Sequence, residues 1–173
     1  MKNFFIKRLK KIKLLVMDVD GVLTDGKIVI DSQGRETKIF DVQDGFGIVL
    51  IRRAGLKTAI LSAREAEAVS FRAKDLQIDR VYQNACPKIH GFKKLLKDFN
   101  IKESEICFIG DDLPDLSVLK RVGFAVAVKN ANEELKKEVH YITKNRGGKG
   151  AVREIIEMIL KAQGKWERVI SEI

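Results

Sequence analysis

Cysteine and histidine are scarce in this sequence, and their scarcity excludes several classes of protein. The 173 residues include two cysteines and two histidines. Cys86 and Cys107 form no Cys-x-x-Cys pair and no cluster with histidine, which argues against a zinc site and against a disulfide-stabilised scaffold. The composition fits a protein of a reducing compartment, and we expect a cytoplasmic location.

Long hydrophobic runs are also absent. No run approaches the roughly 20 apolar residues of a membrane span, so we expect no membrane segment. Residues 1–13 mix basic and apolar side chains without the continuous apolar core and cleavage site of a secretory signal. They predict a short amphipathic helix, with binding at a membrane surface as the alternative.

Acidic residues are outnumbered by basic ones, and the net charge is +9. Such an excess attracts anions, which include nucleic acids and small anionic substrates. The basic residues are spread along the chain rather than gathered with aromatic residues. The distribution favours an anionic small molecule over nucleic acid as the partner.

The apolar run from Leu14 to Met17 leads directly into Asp18, Val19, Asp20 and Gly21. Such a run predicts a buried strand, and the carboxyl ends of parallel strands are where open α/β sheets bind their ligands. Two adjacent carboxylates repel each other unless a cation such as Mg²⁺ lies between them. The alternative is a pair of aspartates that only ends the strand.

Apolar strands alternate with helical segments along the chain, which predicts parallel βαβ units. We therefore expect an α/β fold with a doubly wound, mostly parallel sheet and one domain over residues 1–173. The further strands are predicted at 57–61, 81–82, 105–109, 123–128 and 141–142. The helices are predicted at about 48–53, 65–75, 88–99, 116–121, 133–137 and 151–162, followed by a tail at 164–173.

Residues 27–40 predict a β-hairpin directly after the first strand, because two short apolar stretches flank a glycine-containing turn. A hairpin at this place projects above the carboxyl end of the sheet as a flap. Its exposed apolar residues favour association with other copies of the chain.

Further polar residues follow the later strands or begin helices, and in this fold they all face one crevice. Each has an ordinary interpretation by itself. Ser62 fits a helix cap, Lys88 a solvated lysine, and Asp112 and Asp115 helix-capping acids. Their order along the chain, with Asp111 and the two aspartates of the first strand, is more specific than any single residue.

Taken together, these motifs resemble the haloacid dehalogenase (HAD) superfamily of phosphohydrolases. In detail they resemble its 3-deoxy-D-manno-octulosonate 8-phosphate (KDO 8-phosphate) phosphatase family, which has no cap domain. The resemblance covers residues 13–159. The stretches that carry it are Asp-Val-Asp-Gly-Val-Leu-Thr-Asp-Gly (18–26), Phe-Asp-Val-Gln-Asp-Gly-Phe-Gly (40–47), Leu-Ser-Ala-Arg (61–64), Gly-Asp-Asp-Leu-Pro-Asp (110–115) and Gly-Gly-Lys-Gly-Ala-Val-Arg-Glu (147–154).

The resemblance implies a Mg²⁺-dependent phosphatase with an aspartyl-phosphate intermediate. In that scheme Asp18 is the nucleophile and Asp20 is the acid and base. The metal ligands are Asp18, Asp111 and the backbone carbonyl of Asp20. Lys88 neutralises charge on the nucleophile and the phosphoryl group, and Asp115 holds Lys88 or waters around the metal.

The same resemblance implies contacts with phosphate and the sugar acid, with Ser62 at a phosphate oxygen and Arg64 and Arg72 at the carboxylate. Solvent-facing charge is the alternative for Arg72. One departure is Val49, where family members often carry a basic residue, and it puts one sugar contact in question. The implied binding residues are Asp20, Asp41, Val42, Gln43, Asp44, Gly45, Ser62, Arg64, Arg72, Lys88 and Asp112.

Family members without a cap form tetramers, and the resemblance therefore implies a homotetramer with the 27–40 hairpin at the interface and the C-terminal tail as a lid. Three other functions stay open at this point. A related phosphatase of a sialic-acid-type 9-phosphate has the same mechanism. A phosphoacceptor signalling module has a similar sheet, aspartate pair and lysine, and a basic nucleic-acid binder has a similar charge.

Overall fold

A computed structural model describes residues 3–171. Its main sheet has six strands in the order β5-β4-β1-β6-β7-β8, and every neighbouring pair is parallel. A separate antiparallel pair, β2 and β3, forms the hairpin. The strands are β1 (Leu14–Met17), β2 (Val29–Ile30), β3 (Glu36–Thr37), β4 (Lys57–Leu61), β5 (Arg80–Tyr82), β6 (Ile106–Gly110), β7 (Phe124–Ala127) and β8 (Tyr141–Ile142).

Helices connect successive strands of the main sheet, so the expected doubly wound α/β fold is confirmed. Within residues 3–171 the hairpin stands above the sheet without a separate cap domain. No described helix is both long and apolar enough to cross a lipid bilayer. The helices are α1 (Asn3–Leu9), α2 (Val42–Arg53), α3 (Glu67–Asp75), α4 (Lys88–Phe99), α5 (Leu116–Leu119), α6 (Glu133–Lys136), α7 (Ala151–Ala162) and α8 (Trp166–Ser171).

The first strand lies in the middle of the sheet, between β4 and β6. All four of its residues are buried, as are all residues of β6 and β7. Continuous apolar strands of this kind occur where helices cover both faces of a parallel sheet. The core therefore surrounds β1 and fixes the point at which Asp18 leaves the sheet.

Helix α2 begins at Val42, six residues before the predicted start at Ile48, so that boundary was wrong. The side chain of Asp41 accepts hydrogen bonds from the backbone N–H groups of Gln43 and Asp44 and caps the helix. Gly47 suggested a loop, but a Cβ atom there would lie 3.0 Å from a side-chain carbon of Arg153. The glycine therefore allows α2 to pack closely against α7.

The C-terminal segment also differs from its prediction. Helix α7 ends before Gly164 as expected, but the residues that follow form α8 rather than an irregular tail. Val169 is buried, and the ammonium of Lys161 lies 4.8 Å from the ring centre of Trp166. These contacts hold the segment against the body of the protein as far as Ser171, and residues 172–173 lie outside the described range.

A buried carboxylate joins α2 to the start of α7. Asp44 is 1% exposed. Its carboxylate accepts hydrogen bonds from the backbone N–H groups of Gly150 at 3.2 Å and Arg153 at 2.7 Å. These N–H groups lie at the N-terminal end of α7 and favour the carboxylate, but burial outweighs them and raises the pKa of Asp44 to about 6.

Replacing Asp44 should therefore destabilise the fold. Asp44→Ala leaves two buried N–H donors without acceptors, and we expect the free energy of unfolding to fall by about 1–3 kcal/mol. Urea denaturation followed by circular dichroism measures the change. Glu133→Ala is the control, because that side chain is 80% exposed, and its effect should stay below about 0.5 kcal/mol. Equal stability of Asp44→Ala and the wild type would contradict the capping role.

Candidate active site

The carboxyl ends of β1, β4 and β6 surround a cleft of about 300 Å³. Parallel strands deliver their following residues to this edge, as the sequence predicted. The polar residues that the sequence assigned to one crevice meet here. The lining residues are Asp18, Asp20, Gly26, Ser62, Ala63, Arg64, Lys88, Asp111, Asp112, Pro114 and Asp115.

A buried ammonium group organises the floor of the cleft. Lys88, the first residue of α4, is 3% exposed. Its Nζ atom lies 2.8 Å from Oδ2 of Asp18 and 2.5 Å from Oδ1 of Asp115. The other oxygen of Asp18 accepts a hydrogen bond from the backbone N–H of Val19 at 2.7 Å. These contacts hold the Asp18 carboxylate in one orientation at the end of β1.

Asp115 connects this lysine to the loop that follows β6. Its Oδ2 accepts hydrogen bonds from the backbone N–H groups of Asp111 at 2.9 Å and Asp112 at 3.3 Å. Both of its oxygens therefore have partners within the protein. Asp115 lies where the sequence-based interpretation placed it, beside Lys88, and it also fixes the backbone from which Asp111 projects.

Gly21 lets Asp111 come close to the segment after β1. It has a φ of +87°, and a Cβ atom there would lie 2.0 Å from Oδ2 of Asp111. A side chain at this position would clash with the carboxylate and would also strain the backbone. The glycine thereby brings Asp111 next to the chain that carries Asp18 and Asp20.

Three carboxylates lie close together at this place, and the Lys88 ammonium contacts only two of them, Asp18 and Asp115. Oxygens of Asp18, Asp111 and Asp115 lie within 4.8 Å of one another. Burial, followed by the charges of Asp18 and Asp115, raises the pKa of Asp111 to about 8. Burial, with the Asp115 charge next, raises the pKa of Asp18 to about 6 despite Lys88. Unbalanced negative charge on hard oxygen ligands fits a cation such as Mg²⁺.

Ser62 lies across the cleft from the acidic loop. It follows β4 and is 3% exposed. Its backbone N–H donates to the carbonyl of Tyr82 at 2.8 Å, and its Oγ accepts from the N–H of Arg64 at 3.3 Å. This hydrogen-bonded turn places the hydroxyl group and the Arg64 side chain on the cleft wall.

The sequence-based reasoning missed two residues of the hairpin, Glu36 and Lys38. Nζ of Lys38 lies 2.5 Å from Oδ1 of Asp20 and 2.7 Å from Oε1 of Glu36. Arg64 binds the other oxygen of Glu36 at 2.9 Å. One sequence signal pointed to a pairing of these two residues, since residues two apart on a strand share a face and Glu36 and Lys38 carry opposite charges. It did not identify Asp20 as the partner.

The implied sugar contacts divide into two groups. Asp20, Ser62, Arg64, Lys88 and Asp112 line the cleft. The second group lies at the start of α2 and on α3, beside a smaller cavity lined in part by Phe40, Asp41, Asp44, Gly45 and Arg72. Neither cavity lining contains Val42 or Gln43 among the described residues.

Within the second group, Asp41, Asp44 and Arg72 have partners within the protein, although the buried Nε of Arg72 has no hydrogen bond among the described residues. Asp41 caps α2, and Asp44 binds the start of α7. Arg72 donates to Asp75 at 2.6 Å, and its guanidinium lies 5.9 Å from the ring centre of Phe40. Val42 is 78% exposed at the surface. A contact between these residues and a sugar acid stays a prediction.

Mg²⁺ binding at the acidic cluster should strengthen as pH rises from 6 to 8. A proton on Asp111 or Asp18 must leave before the carboxylate binds metal, and both pKa values are raised into this range. Titration calorimetry should show up to about tenfold tighter binding per pH unit for each proton released.

Asp111→Asn is the matched variant for that titration, since it keeps the shape of the side chain but removes the carboxylate. We expect it to bind Mg²⁺ weakly and to lose most of the pH dependence above pH 7. Proton release is counted by repeating the titration in buffers of different ionisation enthalpy. Affinity that stays constant between pH 6 and 8 would contradict this assignment of the metal ligands.

Comparison with known proteins places the chain among phosphohydrolases. Residues 57–156 match the model of a haloacid dehalogenase-like hydrolase family. KDO 8-phosphate phosphatase of Yersinia pestis is 41% identical over 162 residues, which cover 94% of this chain and 87% of that enzyme. The Escherichia coli K12 enzyme of the same name is 40% identical over 160 residues, covering 92% and 85% respectively.

A solved structure extends the similarity to the fold. It is the KDO 8-phosphate phosphatase of Moraxella catarrhalis, in complex with a magnesium ion, a phosphate ion and a KDO molecule. The TM-score is 0.96, the identity is 41%, and the superposition covers 99% of each chain. The resemblance that the motifs carry is confirmed. The chain belongs to the haloacid dehalogenase-like hydrolases and, within them, to the family of KDO 8-phosphate phosphatases.

Proposed function

We propose that this protein is a Mg²⁺-dependent phosphatase that hydrolyses KDO 8-phosphate to the free sugar acid and phosphate. The observation that carries the proposal is the pairing of Asp18 with Lys88 at the floor of the cleft, beside the acidic loop. Relatives about 40% identical over nine-tenths of the chain carry this activity in their names. In this role the protein takes part in lipopolysaccharide sugar biosynthesis.

The reaction divides into two displacements. In the first, an oxygen of Asp18 attacks phosphorus while the bond from phosphorus to the sugar oxygen breaks, which gives an aspartyl phosphate. Asp20 donates a proton to the departing sugar oxygen. In the second, Asp20 takes a proton from water as that water attacks phosphorus and releases Asp18.

Lys88 and Ser62 stabilise charge during both displacements. The Lys88 ammonium already contacts the nucleophile, so it is in place to balance the charge of the phosphoryl oxygens. The Ser62 side chain lines the cleft, and its hydroxyl would donate to one of these oxygens. Asp115 keeps Lys88 extended into the cleft and does not itself contact the substrate.

Asp18, Asp111 and the backbone carbonyl of Asp20 would hold the magnesium ion. The acidic cluster fits such an ion because its three carboxylates carry more negative charge than the single Lys88 ammonium balances. When bound, the metal supplies the positive charge that lets an anionic nucleophile approach an anionic phosphate.

Recognition of the sugar acid falls to residues around the cleft mouth. Arg64 is suited to the substrate carboxylate because its guanidinium group offers paired donors and lies on the cleft wall. Arg72 and residues 41–45 would contact the sugar only if it extended past the hairpin towards α2. A single domain over residues 1–173 and a cytoplasmic location also stay predictions.

Asp18→Asn should abolish turnover without unfolding the protein. An amide is a poor nucleophile, and we expect kcat for KDO 8-phosphate to fall more than about a thousandfold. Phosphate release with Mg²⁺, and with EDTA in its place, measures activity and metal dependence. Asp25→Asn is the control, because this aspartate follows in the same segment and pairs with Lys27 at the surface. Retained activity of Asp18→Asn would contradict its role as nucleophile.

A substrate panel tests the identity of the sugar. We expect kcat/KM for KDO 8-phosphate to exceed that for a sialic-acid-type 9-phosphate and for glucose 6-phosphate by at least about tenfold. The nine-carbon sugar acid has the same carboxylate, so its comparison isolates the fit of the carbon chain. Equal values for all three would refute the narrow specificity, and a higher value for the 9-phosphate would reassign the substrate.

We also propose that the chain forms a homotetramer through the 27–40 hairpin. The hairpin exposes large apolar side chains that a second copy would cover. These side chains are Ile28, Val29, Ile30 and Ile39, with exposed fractions between 46% and 73%.

A charge on the hairpin should weaken this assembly. Ile30→Lys places an ammonium in the proposed interface, and light scattering after gel filtration should show a smaller mass than for the wild type. Phe71→Lys is the control, since Phe71 is 66% exposed on α3 and is not part of the hairpin. A monomeric wild-type protein, or equal effects of both variants, would contradict the proposed interface.

A further inference from the structure

The hairpin contributes a lysine whose ammonium group is almost fully enclosed. The side chain of Lys38 is 2% exposed, although it lies one residue beyond the short strand β3. Its Nζ atom contacts the carboxylates of Asp20 and Glu36. Lysine is rarely buried unless its charge is paired, so this position requires an explanation.

These contacts belong to a row of alternating charges. Asp20, Lys38, Glu36 and Arg64 follow one another, each bound to the next. The row begins at the segment after β1, passes through the hairpin and ends on the opposite wall of the cleft. Because Glu36 neutralises part of its charge and fixes its position, Lys38 is held from the hairpin side independently of Asp20.

The contact with Asp20 is selective for one oxygen. Oδ1 of Asp20 accepts from Lys38, whereas no hydrogen bond to Oδ2 occurs within residues 3–171. The Asp20 side chain is 24% exposed and lines the cleft. One oxygen is therefore anchored, and the other stays available for proton exchange with a group in the cleft.

We propose that Lys38 is a positioning residue for the acid and base Asp20. It acts by fixing one carboxylate oxygen so that the other is presented to the leaving oxygen and to water. This role rests on the proposed function, since it requires that Asp20 transfers protons. Direct binding of the substrate is less compatible with the structure, because both neighbours of the ammonium are carboxylates of the protein and its exposure is minimal.

A double-mutant cycle separates these roles. Lys38→Met is made in the wild type and in Asp20→Asn. Single-turnover rates are measured with excess enzyme, and KM is measured with excess substrate, for KDO 8-phosphate and p-nitrophenyl phosphate. In the wild type, Lys38→Met should lower the rate at saturation by at least about tenfold, because part of the contribution of proton transfer is lost. KM should stay within about twofold of the wild-type value. In Asp20→Asn it should change the rate less than about twofold, because the group that it positions is already inactive.

Lys27→Met is the matched control, since it removes the other lysine of the hairpin, whose side chain is 79% exposed. It should leave rate and KM unchanged. Lys38→Arg keeps the charge and should recover part of the rate that Lys38→Met loses. Glu36→Gln removes the second anchor and should cause a smaller loss that also disappears in the Asp20→Asn background.

Three results would overturn the proposal. They are an equal loss from Lys38→Met in both backgrounds, a rise in KM at unchanged rate, and unchanged kinetics in the wild type. Should thermal melting show that Lys38→Met is unfolded, Lys38→Arg and Glu36→Gln complete the cycle with the same criterion. If the wild type hydrolyses p-nitrophenyl phosphate but not KDO 8-phosphate, the sugar substrate is refuted and the role of Lys38 can still be tested. A wild type that hydrolyses neither compound would refute the proposed function itself.

Discussion

The active site depends on one buried ammonium group that two carboxylates share. Lys88 lies between Asp18 and Asp115 with almost no contact with solvent. A buried charge is costly unless it is paired, so each of the three groups requires the others. The pairing still leaves Asp111 uncompensated, which is why its pKa lies well above the usual range for a carboxyl group. The need for a cation and the fixed orientation of the Asp18 carboxylate thus have the same electrostatic origin.

Much of the fold and of the cleft could be predicted because the relevant signals are local. A continuous apolar run defines β1, and Asp18 and Asp20 follow it directly. Parallel strands bring the residues after each strand to the same edge, so Ser62 and Asp111 could be assigned to one crevice without knowledge of their contacts. The family resemblance then assigned roles that spacing alone left open.

The features that could not be predicted depend on contacts between distant parts of the chain. Helix α2 begins early because Asp41 caps it and because Gly47 permits close packing with α7. Helix α8 is held by the burial of Val169. The role of Lys38 depends on Asp20, 18 residues earlier in the chain, and no local pattern specifies such a partner. Propensity and periodicity describe neighbours in sequence, whereas these features are decided by neighbours in space.

The hairpin has two faces with different chemistry. Its apolar residues, including Ile30 and Ile39, face outward, while Lys38 is turned inward to Asp20. A short two-stranded ribbon is only marginally stable by itself, so whatever braces its outer face also steadies the ammonium beneath. If a second copy of the chain covers that face, as proposed, dilution of the protein would both separate the copies and slow turnover at each active site.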